Sequence, residues 1–226
     1  QRLCIHYPAQ RDGVARAPLG LVLYIHPFAE EMNKSRRMAA LQSRALSHAG
    51  FAVLQIDLLG CGDSSGDFGD ATWEHWVNDV VLAHQWLRAK YAADASKYRV
   101  PVWLWGLRVG CLLAVDAAKQ MDEPCNFLFW QAPASGKPLL QQFLRLKVAG
   151  DMLTGQSKGV MEGMRQQLAG GSPVEIAGYM LAPGLAHGLE QAVLIPPALT
   201  DHSARVEWFE LSTREDASLS PISAKT

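Results

Sequence analysis

Four short apolar runs, interleaved with helical patterns, constrain this chain more than any other feature. Residues 19–28 (LGLVLYIHPF), 51–57 (FAVLQID), 100–105 (VPVWLW) and 126–133 (NFLFWQAP) are continuous rather than alternating, the mark of strands buried on both faces. Between them, 36–50 (RRMAALQSRALSHAG) and 72–91 (TWEHWVNDVVLAHQWLRAKY) carry apolar residues at helical spacing. Gly50 is a natural stop for the first helix. Thr72 is a natural N-cap for the second, which turns Trp73, Trp76, Val77, Val80 and Leu87 to the core. A third helix is predicted over 109–120. Strands alternating with helices require right-handed crossovers and a mostly parallel sheet with helices on both faces, an α/β fold. Residues 2–9 (RLCIHYPA), joined to the next strand through a loop holding Asp12 and Gly13, are expected to add an antiparallel hairpin strand at the sheet's edge.

The rhythm breaks after residue 136. Residues 137–153 (KPLLQQFLRLKVAGDML) form an amphipathic helix pattern with Leu140, Phe143, Leu144 and Val148 on one side. TGQSKGV is rich in turn residues, and VEIAGYMLAPGLAHGLEQAV is broken by Gly and Pro. A strand pattern resumes only at 205–211 (RVEWFEL). So long a stretch between neighbouring strands exceeds a plain crossover and reads as a helical cap over one end of the sheet. The expected organisation is a core over 1–136, a cap insertion over 137–200 and the core continued over 201–226, with the chain stopping before the last strand.

Composition narrows the partners. A net charge of -1 and a pI near 6.7 give no electrostatic reason to expect nucleic acid or an anionic membrane surface. No apolar run approaches the roughly 20 residues that span a bilayer, and the opening QRLCIHYPAQRDG lacks the basic-then-apolar layout of a signal peptide. The four cysteines, Cys4, Cys61, Cys111 and Cys125, form no CxxC pair. Neither a disulfide framework nor a metal site is expected, and a reducing cytoplasm fits best. Gly60-x-Gly62 lacks a third glycine at Ser65 and an immediate helix, so it is no dinucleotide fingerprint. No cofactor is expected.

Chemistry concentrates in 102–115 (VWLWGLRVGCLLAV), a strand turning sharply into a helix with a glycine on each side of one exposed residue. Gly106-Leu107-Arg108-Val109-Gly110 matches the nucleophile elbow G-x-S-x-G at every place but the centre, where Arg108 stands. HPFAEE (26–31) follows an earlier strand, where such enzymes build an oxyanion hole from backbone N–H groups. His26 shapes that loop, and Phe28, Ala29 and Val109 are the candidate donors, with Pro27 in the place of the usual glycine. DLLGCGDSSG (57–66) has the glycine-rich turn common after the next strand.

Together, HPFAEEMNKSRRM, DLLGCGDSSGDF, WGLRVG and QQFLRLK resemble the exosortase A system-associated hydrolase 2 family, over nearly the whole chain. That resemblance implies the α/β-hydrolase fold, a nominal ester or acyl hydrolase and an association with bacterial exopolysaccharide and exosortase loci. It implies no substrate.

A serine hydrolase also needs an acid and a base. The acid belongs in FELSTREDASLSP (209–221), where Asp216 is the first choice and Glu215 the second. The base should follow one further strand, but no histidine lies beyond His202. His187 and His202 sit in or just after the cap, while His75 and His84 lie in a helix. Ser64 and Ser65 are alternative nucleophiles on a neighbouring loop, Ser135 is more distant, and Cys111 points away from the apex. Arg108 has two readings: a cation that anchors an anion at a helix N-terminus, or an internal plug paired with Asp57 or Asp216. Three functions follow: a hydrolase-family member with altered or no catalysis, a non-catalytic module that binds an anionic sugar, lipid or acyl intermediate, or a structural partner.

Overall fold

The computed structural model describes residues 1–92, 100–152, 159–197 and 205–211. The strands are β1 (Cys4–Tyr7), β2 (Gln10–Arg11), β3 (Val14–Ala15), β4 (Gly20–Ile25), β5 (Phe51–Ile56), β6 (Val102–Leu107), β7 (Asn126–Trp130), β8 (Val174–Ile176), β9 (Tyr179–Leu181) and β10 (Val206–Phe209). The helices are α1 (Glu30–His48), α2 (Trp73–Lys90), α3 (Val109–Ala118), α4 (Lys137–Met152), α5 (Val160–Ala169) and α6 (Pro183–Gln191). The main sheet runs β1-β5-β4-β6-β7-β10, parallel except for β1.

Every residue of β4 is buried, as a strand with helices above and below requires. Its side chains alternate between two separate packed layers. Leu21, Leu23 and Ile25 join Trp76, Val80, Leu112 and Leu113 of α2 and α3. Val22 and Tyr24 join Val53, Trp105 and Ala39 of α1. Thr72 caps α2 by accepting a hydrogen bond from the His75 N–H at 3.1 Å, and Trp73, Trp76, Val77, Val80 and Leu87 are all buried.

The edge strand differs from expectation in its connection. β1 pairs with β5, Cys4 opposite Ile56 and Tyr7 opposite Val53, rather than hairpinning with the next strand. Asp12 and Gly13, with φ of 52° and 73°, close a two-residue turn, and such a turn can join only its immediate neighbours. It therefore makes the small β2–β3 ladder and leaves β1 free to reach β5.

The described residues between β7 and β10 pack against Phe28, Phe68 and Arg108, and they are not wholly helical. α4 and α5 pack against β8 of the β8–β9 hairpin, in which Val174, Ile176 and Leu181 are buried, and α6 packs on α4 and α5. On α4, Leu140, Phe143 and Leu144 are buried and Val148 is partly buried. Two aromatic contacts hold this layer to the core: Phe143 meets Phe28 with ring centroids 5.1 Å apart, and Tyr179 meets Phe68 at the same 5.1 Å. Among the described residues no helix is long and apolar enough to cross a membrane.

Candidate functional site

Arg108 is the single residue between β6 and α3. It turns the chain with φ 52° and ψ -114°, a region that costs a side-chain-bearing residue roughly 1–3 kcal/mol. Its neighbours hold it there: its N–H donates to the Trp130 carbonyl at 2.9 Å, and its carbonyl accepts from the Cys111 N–H at 3.0 Å. The flanking glycines answer a different demand. A Cβ on Gly106 would lie 2.5 Å from the backbone of Cys111. One on Gly110 would collide with the Ile25 carbonyl oxygen and come within 3.0 Å of that of His26.

The loop after β4 makes a similar turn at Ala29, φ 48° and ψ -126°. Its anchor is His26. The Leu58 N–H donates to His26 Nε2 at 3.3 Å, so Nδ1 carries the proton and donates to the Pro27 carbonyl at 2.8 Å. Burial lowers the His26 pKa and keeps the ring neutral. This histidine ties two loops together and offers no lone pair to the elbow. Phe28 is buried among Phe68, Trp76 and Phe143. Val109 opens α3 and Glu30 opens α1, and both residues line the cavity at the apex; the Glu31, Met32 and Cys111 N–H groups of these first turns already donate to the Phe28, Ala29 and Arg108 carbonyls.

The Arg108 side chain meets partners that the sequence reading did not name. Its Nε lies 2.9 Å from both carboxylate oxygens of Glu31, and its Nη2 donates to Gln142 Oε1 on α4 at 3.1 Å. Among the described residues, its Nη1 makes no hydrogen bond. Burial pushes the Glu31 carboxyl up, against the opposing pull of the Arg108 charge and hydrogen bond. Asp57 is engaged elsewhere, accepting from Arg36 Nη2 at 2.8 Å and the Asp63 N–H at 3.1 Å. Asp216, Glu215 and His202 lie outside the described residues. Glu31 carries a weak sequence signal, an acid in the first turn of the helix after the oxyanion-type loop. The cation it meets is 77 positions away.

A cavity of about 40 Å³, lined by Phe28, Glu31, Arg108, Val109 and Phe143 among others, lies directly above the apex. Arg108 and Glu31 also line a groove of about 680 Å³, together with Met38 and Ala39 of α1. His187 lines a separate cavity with Arg165 and Glu190 in the cap. His75 is exposed, and His84 is buried 2.6 Å from Glu123. Among the described residues, no histidine bonds to Arg108 or lines either space beside it.

The other nucleophile candidates are occupied. Ser64 Oγ donates to the Asp57 carbonyl and accepts from the Leu3 N–H at 2.9 Å. Ser65 Oγ donates to the Gln1 carbonyl at 2.8 Å. Cys111 is buried, and burial pushes its thiol far above the ordinary range. Ser135 bridges to Val193 at the base of the cap. Among the described residues, no group of three or more His, Cys, Asp or Glu side chains is arranged to hold a metal ion.

The model of the serine aminopeptidase, S33, family matches residues 16–164, more than half of the chain. The chain belongs to that family. The match spans both strained turns and α4. Human Protein ABHD12B is 32% identical over 133 residues, which are 58% of this chain. The match covers 32% of that protein, so the chain spans about a third of the length of this curated relative. A soluble variant of monoglyceride lipase from Saccharomyces cerevisiae superposes with a TM-score of 0.58 at 14% identity, over 92% of this chain and 82% of that one. Est1E from Butyrivibrio proteoclasticus, solved with ferulic acid, gives 0.56 at 17% identity, over 85% and 68%. At such identities these likenesses show the fold: the S33-family chain has the α/β-hydrolase architecture.

Proposed function

We propose that this S33-family protein holds an oxyanion where its relatives attack a carbonyl, with Arg108 in the place of the nucleophilic serine. The observation that carries this reading is the Arg108–Glu31 pair: a carboxylate already sits on the guanidinium at the elbow apex, 2.9 Å from Nε. A guanidinium stays protonated and has no lone pair with which to attack. It does present a planar fork that matches carboxylate or phosphate. The N-termini of α1 and α3 add partial positive charge at the same place. The Val109, Phe28 and Ala29 N–H groups, the oxyanion donors of a working enzyme, become donors to a resting ligand.

The ligand class in this reading is the acid group of a sugar, lipid or acyl intermediate, and the setting is cytoplasmic exopolysaccharide or exosortase-linked metabolism. Asp216 would stand at the acid position without a reaction to serve. The family match is the one observation that favours the rival reading, a hydrolase with a displaced nucleophile. Its candidates, Ser64 and Ser65, both have their hydroxyls engaged, with the Asp57 and Gln1 carbonyls respectively.

Titration calorimetry with acetate and inorganic phosphate, on the wild type and Arg108→Ala, tests the proposal. Binding that depends on Arg108, with no turnover of p-nitrophenyl acetate and no labelling by a fluorophosphonate probe, supports it. Stoichiometric labelling of Ser64 or Ser65 together with esterase turnover sinks it.

A further inference from the structure

The small cavity above the elbow apex holds an unequal set of charges. Among the described residues, its charged lining is two acids, Glu30 and Glu31, and one base, Arg108. The remaining walls are the neutral Gln142 and apolar side chains such as Phe28 and Phe143. Lys34, one turn along α1, is not part of that lining. Its side chain is 73% exposed, 3.8 Å from the Glu30 carboxylate, so water and salt screen it. Negative charge is already resisted at the apex. Burial pushes the Glu31 carboxyl up, the Glu30 charge adds to that push, and Arg108 opposes both. The backbone relieves this only in part, because the Glu31, Met32 and Cys111 N–H groups already donate to nearby carbonyls. Resting on the oxyanion reading above, we infer that the apex is a charge filter: it takes a singly charged carboxylate and turns away the dianion of a phosphate monoester, with Glu30 and Glu31 setting the choice.

A phosphate monoester carries about -1.5 to -2 at pH 7 on three oxygens. Sites that hold such a group converge several cations or backbone donors on it. Here a single guanidinium meets the ligand, and Glu31 already engages its Nε at 2.9 Å. The first charge of a ligand rests on the guanidinium fork, where Arg108 is the nearest group, and it has only the neutral Gln142 Oε1 to displace from Nη2. A carboxylate ends there. The second charge of a phosphate rests on an oxygen beyond the fork, where two acids outweigh one base. Coulomb energy is linear in the ligand's charge, so each acid repels the dianion about twice as strongly as the carboxylate.

Calorimetry at about pH 8 with three probes separates charge from shape. Acetate carries one charge on a planar head, and dimethyl phosphate one charge on a tetrahedral head. Methyl phosphate, whose second ionisation falls near pH 6, carries two charges on a similar tetrahedral head. Acetate and dimethyl phosphate should bind through Arg108, each tighter than methyl phosphate by on the order of tenfold or more. Glu30→Gln should tighten all three, and the dianion most: about ninefold where acetate gains about threefold, since the charge enters linearly in the energy. Glu31→Gln should show the same asymmetry. Methyl phosphate binding as tightly as acetate, through Arg108, would overturn the filter and leave the oxyanion reading standing. So would weak methyl phosphate binding that neither glutamine variant improves more than acetate. Dimethyl phosphate binding as poorly as methyl phosphate also overturns the filter, because shape rather than charge would then decide. No Arg108-dependent binding of any of the three would overturn both readings.

Discussion

The protein makes the same backbone turn twice with different residues. β4 passes into α1 at Ala29, φ 48° and ψ -126°, and β6 passes into α3 at Arg108, φ 52° and ψ -114°. The positions two before and two after the apex are Pro27 and Glu31 in the first turn, Gly106 and Gly110 in the second. Neither of those glycines has a positive φ. The glycines are therefore not demanded by the strained dihedrals, which Ala29 adopts without them. They are demanded by packing, because α3 presses against the end of β4 at the Ile25 and His26 carbonyls. Ala29 also shows that a strained apex is not by itself the mark of a reacting group. What distinguishes the second turn is the charge that it presents and the acid that the first turn supplies to meet it.

The largest expected effect tests the packing half of that contrast. Gly110→Ala should destabilise the fold by about 3 kcal/mol or more, because backbone rather than a side chain stands in the way. The matching change in the first turn, Glu31→Ala, should cost about 1 kcal/mol or less, as for a partly exposed ion pair. Chemical denaturation of the two variants measures both, and equal losses would erase the distinction. Next in size, Arg108→Ala should weaken binding of a carboxylate or phosphate by about 1.5–3 kcal/mol, while Ala29→Ser leaves the ligand on its Arg108 anchor. Calorimetry reads this directly.

Smaller still, Ala29→Gly and Arg108→Gly should each relieve the positive φ. The net gain is up to about 1 kcal/mol once the greater freedom of glycine in the unfolded chain is subtracted. The Arg108 variant should gain less, by about 0.5 kcal/mol, because it also loses its partner. A gain at one apex and a loss of several kcal/mol at the other would show that the two turns are not equivalent in backbone energy.

The smallest effect is in pH. The Glu31 carboxyl is raised above its ordinary value of 4.5, first by burial and then against the pull of Arg108. The folded protein therefore holds a proton that the unfolded chain has released, and Glu31 favours the folded state least once pH has risen through its folded value. Protonation also frees Arg108, so anion affinity should rise as pH falls through that window, for a ligand whose own acid stays ionised. The charges facing this group are Arg108 on the elbow, Glu30 and Lys34 on α1 and Glu210 across the groove, with the neutral Gln142 on α4. Glu31→Gln should remove the dependence. An unchanged profile in that variant would assign it to another group.

The α/β fold was legible because strands buried on both faces read as unbroken apolar runs, which is how β4 and β6 announce themselves. α5 was harder to read. Its apolar residues, Val160, Met161, Met164 and Leu168, follow a glycine-rich stretch and lie among glutamines. The β8–β9 hairpin was hidden for another reason, since three-residue strands are too short to show a period of two. At the site, the apex and its glycines could be found from local spacing alone. The guanidinium's partners could not, because Glu31 and Gln142 are 77 and 34 positions from Arg108 and meet it only when the sheet and cap assemble. Asp57, the partner the sequence suggested alongside Asp216, is instead held by Arg36, whose Nη2 donates to it at 2.8 Å.

The connection from β7 to β10 has a consequence for the order of assembly. β10 aligns with β7 residue for residue, Val206 on Phe127 through Phe209 on Trp130, although the whole cap intervenes between them. Closing so long a loop restricts the chain before any ladder bond rewards it, and contacts of that separation form late. β4, β5, β6 and β7 can collapse around α1, α2 and α3 through shorter connections, so among the described parallel strands β10 should dock after the others and leave before them. Its amides should exchange with solvent while those of β4 stay protected, and in the interval the outer edge of β7, from Asn126 to Trp130, is the unpaired border at which two half-folded copies would meet.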